Sequence, residues 1–254
     1  MSRRAYKNPP AAEAVCEFRF RSSDEWDSTT PFRLFEQLRE SYPEPLKQDL
    51  AFTPPAGVPG QPGGAFLQPE MVPRTELRNA GGGRVLRISP GLLSVSVMAP
   101  YPGWETFKPQ IAEALEAYIA TGVGNPNIVR IGVRYVNRIA LPGVAVELSD
   151  YFTVPPPSAP GLPDNLGGFL MRQEFFYEDP RESLILTFAT GGPSEGAEPK
   201  AEVILDIDAI QNWDEAVPLN VADALPVVEA VRDRERDAFE ACITDATRSL
   251  FNGA

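Results

Sequence analysis

Residues 128–141 read I-V-R-I-G-V-R-Y-V-N-R-I-A-L and alternate without a slip. Ile131, Val133, Tyr135, Asn137 and Ile139 fall on one side, and Arg130, Gly132, Arg134, Val136 and Arg138 on the other. Side chains that repeat with a period of two belong to a β-strand, here with one apolar face and one face of three arginines. Such a strand requires a sheet buried on one side. The arginine row in turn needs water, carboxylate partners or an anionic ligand, because an unpaired buried charge is costly.

Two other stretches carry the same period. Ala14, Cys16, Phe18 and Phe20 alternate with Val15, Glu17, Arg19 and Arg21, and Val203, Leu205 and Ile207 alternate with Glu202, Ile204, Asp206 and Asp208. Ser28-Thr29-Thr30-Pro31 reads as the cap of a helix with Phe32, Phe35, Leu38 and Tyr42 at helical spacing. Residues 74–80 and 84–89 flank Gly81-Gly82-Gly83 as a hairpin whose glycines are free to take positive φ. A strand over 92–99 follows, then a helix over 104–121 with Trp104 as a packing anchor, ended by Gly122 and Gly124. Pro/Gly-rich runs within 53–73 and 154–163 read as loops. Strands at 168–177, 183–190 and 201–209 precede a closing helix over 226–251, on which residues 232–237 form a solvated charged face. The expected order is β-α-β-β-β-α-β-β-β-β-α. Short turns between successive strands imply antiparallel pairing, so the class is α+β, with helices packed on one face of one or two antiparallel sheets. The chain reads as a single module over 1–254, with halves 1–124 and 125–254 that echo each other without a sequence repeat.

Composition narrows the chemistry. The 254 residues contain no histidine, which removes the commonest general base and the commonest metal ligand but leaves carboxylate–Mg²⁺ chemistry open. The net charge of −12 is lopsided: residues 1–150 hold 16 acids and 16 bases, and residues 151–254 hold 19 acids and 7 bases. An acidic half repels phosphate backbones, so general nucleic-acid binding is not expected. No apolar run reaches the length of a bilayer span, and no apolar stretch follows the basic Met1-Ser2-Arg3-Arg4 as a secretory signal would require. Cys16 and Cys242 read as buried free thiols, consistent with a cytoplasmic protein.

Three readings of the charged residues stand side by side. The acids of 201–209 can pair across strands with the arginines of 128–141 and with Arg19. Alternatively, Arg19, Arg130, Arg134 and Arg138 form a cradle for a nucleotide or another anion. In the third, Asp206-x-Asp208 places two carboxylates on one strand face for Mg²⁺-dependent phosphotransfer, with Glu17 or Glu202 in support. No cofactor is expected. Asn137, alone among apolar neighbours, must bond to backbone or lose about 1–3 kcal/mol.

Asn8-Pro9-Pro10, Glu13-Ala14-Val15, Glu17-Phe18-Arg19-Phe20 and the block Arg134-Tyr135-Val136-Asn137-Arg138-Ile139 together resemble a sporadically distributed prokaryotic family of similar length. Leu205-Asp206-Ile207-Asp208 and the last helix, with Phe239 and Ile243, fit the same pattern over the whole chain. The resemblance implies one bacterial or archaeal intracellular module, in a family with no assigned activity and a patchy distribution typical of mobile or defence-related gene neighbourhoods. It carries over no site residues. The leading expectation is therefore a non-catalytic interaction or scaffold subunit that self-associates or docks on a protein partner, without membrane contact. An anion- or nucleotide-binding sensor is the alternative.

Overall fold

The computed structural model describes residues 4–21, 26–53, 70–122, 127–143, 145–156, 159, 161–163, 166–192 and 200–252. The chain opens with β1 (Ala11–Phe20), α1 (Thr30–Leu38), β2 (Lys47–Thr53), β3 (Glu70–Arg78), β4 (Arg84–Ser89), β5 (Leu92–Met98) and α2 (Trp104–Ala120). It continues with β6 (Asn127–Ala140), α3 (Leu148–Tyr151), β7 (Leu170–Phe176), β8 (Glu182–Thr190), β9 (Glu202–Asn212), β10 (Leu219–Asn220), α4 (Ala224–Cys242) and α5 (Asp245–Asn252). All ten strands join one antiparallel sheet in the order β2-β3-β4-β5-β1-β6-β9-β8-β7, with β10 beside β6. The α+β class and the antiparallel sheet expected from the sequence are both present.

The sheet is nearly symmetric about its centre. Outward from the β1–β6 pair run β5, β4, β3 and the extra edge strand β2 on one side and β9, β8 and β7 on the other. In each half the chain leaves the central strand through a helix (α1 or α3), returns inward along four strands in the first half and three in the second, and ends in a long helix (α2 or α4). Sequence repeats are absent because topology constrains only the apolar pattern, and many residues satisfy that pattern. The short helix α3 stands in the second half where the sequence suggested only a proline-rich loop.

Burial follows the alternation. Ala14, Cys16, Phe18 and Phe20 of β1, Ile131, Val133, Tyr135 and Ile139 of β6, and Val203, Leu205, Ile207 and Ala209 of β9 are all buried in one continuous core. Helix α4 packs against β6 and β9, α2 against β5, and α1 against α2. Both cysteines are buried free thiols. At the β3–β4 turn Gly81 and Gly82 take φ of 88° and 71°, values that side chains with a Cβ resist. Among the described residues, no helix is long and apolar enough to cross a membrane.

Several local expectations are corrected. Strand β2, pairing with β3 from Lys47↔Glu76 to Thr53↔Glu70, and the two-residue β10 carry too little alternation to be read from sequence. The α1 cap is Asp27, whose carboxylate accepts from the backbone N–H of Thr29 (2.7 Å) and Thr30 (3.0 Å); the Thr29 hydroxyl does not cap. The buried stripe of α1 is Pro31, Leu34 and Leu38, while Phe32 is exposed. The closing helix is broken at Ile243, which is extended (φ −116°, ψ 150°) and bridges to Phe152. The β-branched pair Ile243-Thr244 tolerates that excursion, and the N–H groups of Thr153 and Thr244 bond across it to Cys242 O and Tyr151 O. Residues 232–237 are not a uniformly solvated face, because Glu235 is buried. Gly124, residues 157, 158 and 160 of the 154–163 run, and the loop within 53–73 (54–69) lie outside the described residues.

Candidate functional site

The arginine row is internally paired. Arg134 grips Asp206 bidentately through Nε (2.7 Å) and Nη2 (2.5 Å), and Arg138 reaches Glu202 Oε1 from Nε (3.0 Å) and Nη2 (2.7 Å). Arg130 bridges Glu17 and Asp208, the latter at 3.2 Å, and Arg19 adds its Nε to Glu17 at 2.9 Å. Directly opposite Arg134 in the ladder is Asp208, yet the long side chain takes the diagonal carboxylate of Asp206. Arg134 and Arg138 are thus each offset by one same-face position from a straight cross-strand match, and Arg130, opposite Asn212, reaches two such positions along to Asp208. Further out, Glu76 accepts from Arg78 and Arg87, and Arg87 also reaches Glu13. The outer face of the sheet is thus a lattice of alternating charge running from β3 to β9.

All six residues picked out by sequence lie in this lattice. Arg19, Arg130, Arg134 and Arg138 each have a carboxylate partner, so an incoming anion would compete with fixed carboxylates. Asp206 and Asp208 share one strand face as the D-x-D spacing requires, but both point to guanidinium groups. Among the described residues no group of three or more Cys, Asp and Glu is disposed to hold a metal ion. The guanidinium of Arg134 is held even more firmly protonated by its bond to Asp206, whereas burial raises Asp208 above the usual carboxylate range against the pull of Arg130.

The other face of the same strand leads somewhere different. Tyr135 and Asn137 of β6 form part of the wall of a cavity of about 400 Å³, bounded also by α4, the segment 4–11 and the turn 101–104. The Asn137 amide donates to Leu205 O at 3.1 Å and more weakly to Tyr135 O at 3.4 Å, satisfying its expected need for backbone partners. The hydroxyls of Tyr101 and Tyr135 meet at 2.8 Å with their rings edge to face. One of the two donates to the other, which leaves the second proton available. Tyr6 and Phe239 supply further aromatic wall, and the Tyr6 hydroxyl donates to Glu240 at 2.6 Å. Trp104, the first residue of α2, sits under Arg232, whose guanidinium lies 5.0 Å from the ring centroid.

Glu235 is the unexpected member. It lies in the buried stripe of α4, between Val231 and Phe239, and is only 5% exposed. Among the described residues its carboxyl makes no hydrogen bond or ion pair. Burial pushes its pKa well above the usual 4.5, opposed only in part by Arg232 and Arg236, so it holds its proton when ordinary glutamates have lost theirs. A signal for it exists in the sequence. Val228, Val231, Glu235, Phe239 and Cys242 follow helical spacing, and counting by 3.6 rather than by runs of charge places the carboxyl inward.

The lining mixes aromatic walls, one buried carboxyl, an amide and a hydroxyl pair with four cationic side chains: Arg4, Lys7, Arg232 and Arg236. Arg236 donates to the backbone carbonyl of Arg4, which ties the N-terminal segment to α4. That segment contributes Asn8-Pro9-Pro10, and Asn8 N–H bonds to Phe251 O at 2.9 Å. Compared with known proteins, the chain matches no protein-family model, and no curated protein matches it in sequence.

Proposed function

We propose that this chain is a ligand-binding module, and that its ligand occupies the cavity between α4, the N-terminal segment and the Tyr135–Asn137 stretch of β6. One observation carries the reading: Glu235 is buried at the cavity wall without a hydrogen bond among the described residues, and only Arg232 and Arg236 act on its charge. A buried carboxyl without a hydrogen bond costs on the order of 1–3 kcal/mol even when protonated. A leucine would fill the same helical stripe without that cost, and a ligand offering a hydrogen-bonding edge would recover it.

The lining narrows the ligand class. Glu235, Asn137 and the Tyr101–Tyr135 hydroxyl pair favour a group with both donors and acceptors. Tyr6, Trp104 and Phe239 favour a flat ring, and Lys7 with Arg4, Arg232 and Arg236 favours an attached anion, which would share Arg4 with Asp245 and Arg232 with Asp233 at their long contacts of 3.5 and 3.4 Å. A nucleotide combines all three. This keeps the nucleotide reading of the sequence but moves it from the arginine face to the opposite face of the same strand. Binding rather than turnover fits a chain with no histidine, and a sensor subunit of a larger intracellular system is the role we favour.

Thermal shift with a panel of nucleoside mono-, di- and triphosphates tests it. A nucleotide at 100 times its Kd adds about 2.7 kcal/mol to stability. The expected pattern is a rise in Tm that Glu235→Leu abolishes and Arg134→Ala leaves intact. The reverse pattern would move the site back to the arginine face. No shift with any member of the panel would remove the nucleotide reading altogether.

A further inference from the structure

The sheet ends at β7, whose sequence Leu170-Met171-Arg172-Gln173-Glu174-Phe175-Phe176 has β8 on one side and, among the described residues, no strand on the other. Edge strands in natural proteins are normally short, charged or covered, because their free backbone groups recruit other strands. This one is seven residues long and exposed along nearly its whole length. Leu170 is 76% exposed and Phe176 62%, and Leu162 and Leu166, from the segment leading into the strand, are exposed as well. Arg172 and Glu174 have no ion pair among the described residues, although arginines elsewhere on this sheet face do.

The strand is complementary to itself when reversed. In an antiparallel pair of two β7 strands centred on Gln173, Arg172 of each faces Glu174 of the other, and Leu170 of each faces Phe176 of the other. Met171 and Phe175 match on the opposite side. Both unpaired charges and the exposed apolar side chains thereby gain partners in one operation. The register is also self-specifying. A slip of two residues sets Arg172 against its own copy or Glu174 against its own copy, and parallel pairing in register does both.

We infer that β7 is a homodimer interface, in which a second copy of this chain extends the sheet through a two-fold axis at Gln173. The contact is isologous and closed, so it gives a dimer rather than a fibre. It is independent of the cavity, which lies at the β6–α4 side of the molecule.

Charge reversal separates this interface from any other. Sedimentation velocity of the whole chain at about 100 µM, well above the micromolar range of a weak specific contact, is expected to show a dimer. Arg172→Glu and Glu174→Arg each create two like-charge pairs across the axis, and each is expected to weaken dimerisation about tenfold or more. The double substitution restores it. An equimolar mixture of the two single variants is also expected to dimerise, because each arginine again meets a glutamate. Both side chains are exposed, so unchanged circular dichroism, and unchanged melting at concentrations too low for any of the proteins to dimerise, would confirm that the fold is intact. A monomeric wild-type chain, a dimer indifferent to both variants, or a mixture that stays monomeric would each overturn the assignment.

Discussion

The two halves of the sheet are built to one plan and filled in different ways. On the first, Phe20 of β1 stacks on Tyr118 of α2 with ring centroids 4.6 Å apart, and the buried Phe18 stacks on Phe20. The inward stripe of α2 is Phe107, Ile111, Ala114, Leu115 and Tyr118, and nothing in it is charged. On the second, the central strand presents Tyr135 and Asn137, and α4 answers with Glu235. The first helix–sheet interface is closed by aromatic packing, whereas the second is left hollow and polar. Since both halves share one continuous core, the packed half can stabilise the fold while the hollow half carries a group that packing alone would reject. This division makes the contrast testable by substitution on either side.

The largest effect belongs to the packed half. Phe18 is completely buried, and Phe18→Ala opens a void beside Phe20 that close-packed neighbours fill only in part. The expected loss is about 3–5 kcal/mol in urea unfolding. A loss below about 1 kcal/mol would mean that this half is loosely packed too, and the contrast would fail.

In the hollow half the sign inverts. Below the ordinary 4.5 of a glutamate, Glu235 is protonated in both folded and unfolded chains and contributes no pH dependence. Above it, the unfolded chain releases the proton while the folded chain keeps it, so stability falls by about 1.4 kcal/mol per pH unit until the folded carboxyl ionises. Glu235→Gln removes that slope. The variant should match the parent at pH 4 and become progressively more stable than it above pH 5. Parallel stability curves for the two proteins would show that Glu235 ionises normally and is solvated in the cavity.

The contrast also separates what could be read from sequence. Period-two alternation is local, so β1, β6 and β9, their buried faces and the carboxylate partners of the arginine row were legible from residues a few positions apart. Which acid meets which arginine was not, because Arg134 and Asp206 are 72 positions apart and their register is set by core packing between them. The cavity was half legible. Asn137 betrayed a polar need on an apolar face, but Glu235 was masked by its charged neighbours at 232–237, and only its helical phase shows that it turns inward. Strand β2 and the break at Ile243 depend on tertiary partners, β3 for one and Phe152 for the other, that no local pattern announces.

The smallest effects lie on the outer face, where the two halves meet in one charge lattice. Arg134 is 48% exposed, so water and salt screen its pairing with Asp206 despite the bidentate geometry. Arg134→Ala should therefore cost no more than about 1 kcal/mol, and that cost should shrink in 1 M salt. Arg130 is different: at 18% exposure it joins Glu17 of one half to Asp208 of the other. Removing it leaves two carboxylates on either side of β6, Glu17 with Arg19 alone and Asp208 already reluctant to ionise. Arg130→Ala should cost about 2–3 kcal/mol, most of it insensitive to salt. Equal costs for the two arginines, both abolished by salt, would mean that the lattice is uniformly solvated. The seam between the halves would then be held by the core beneath it alone.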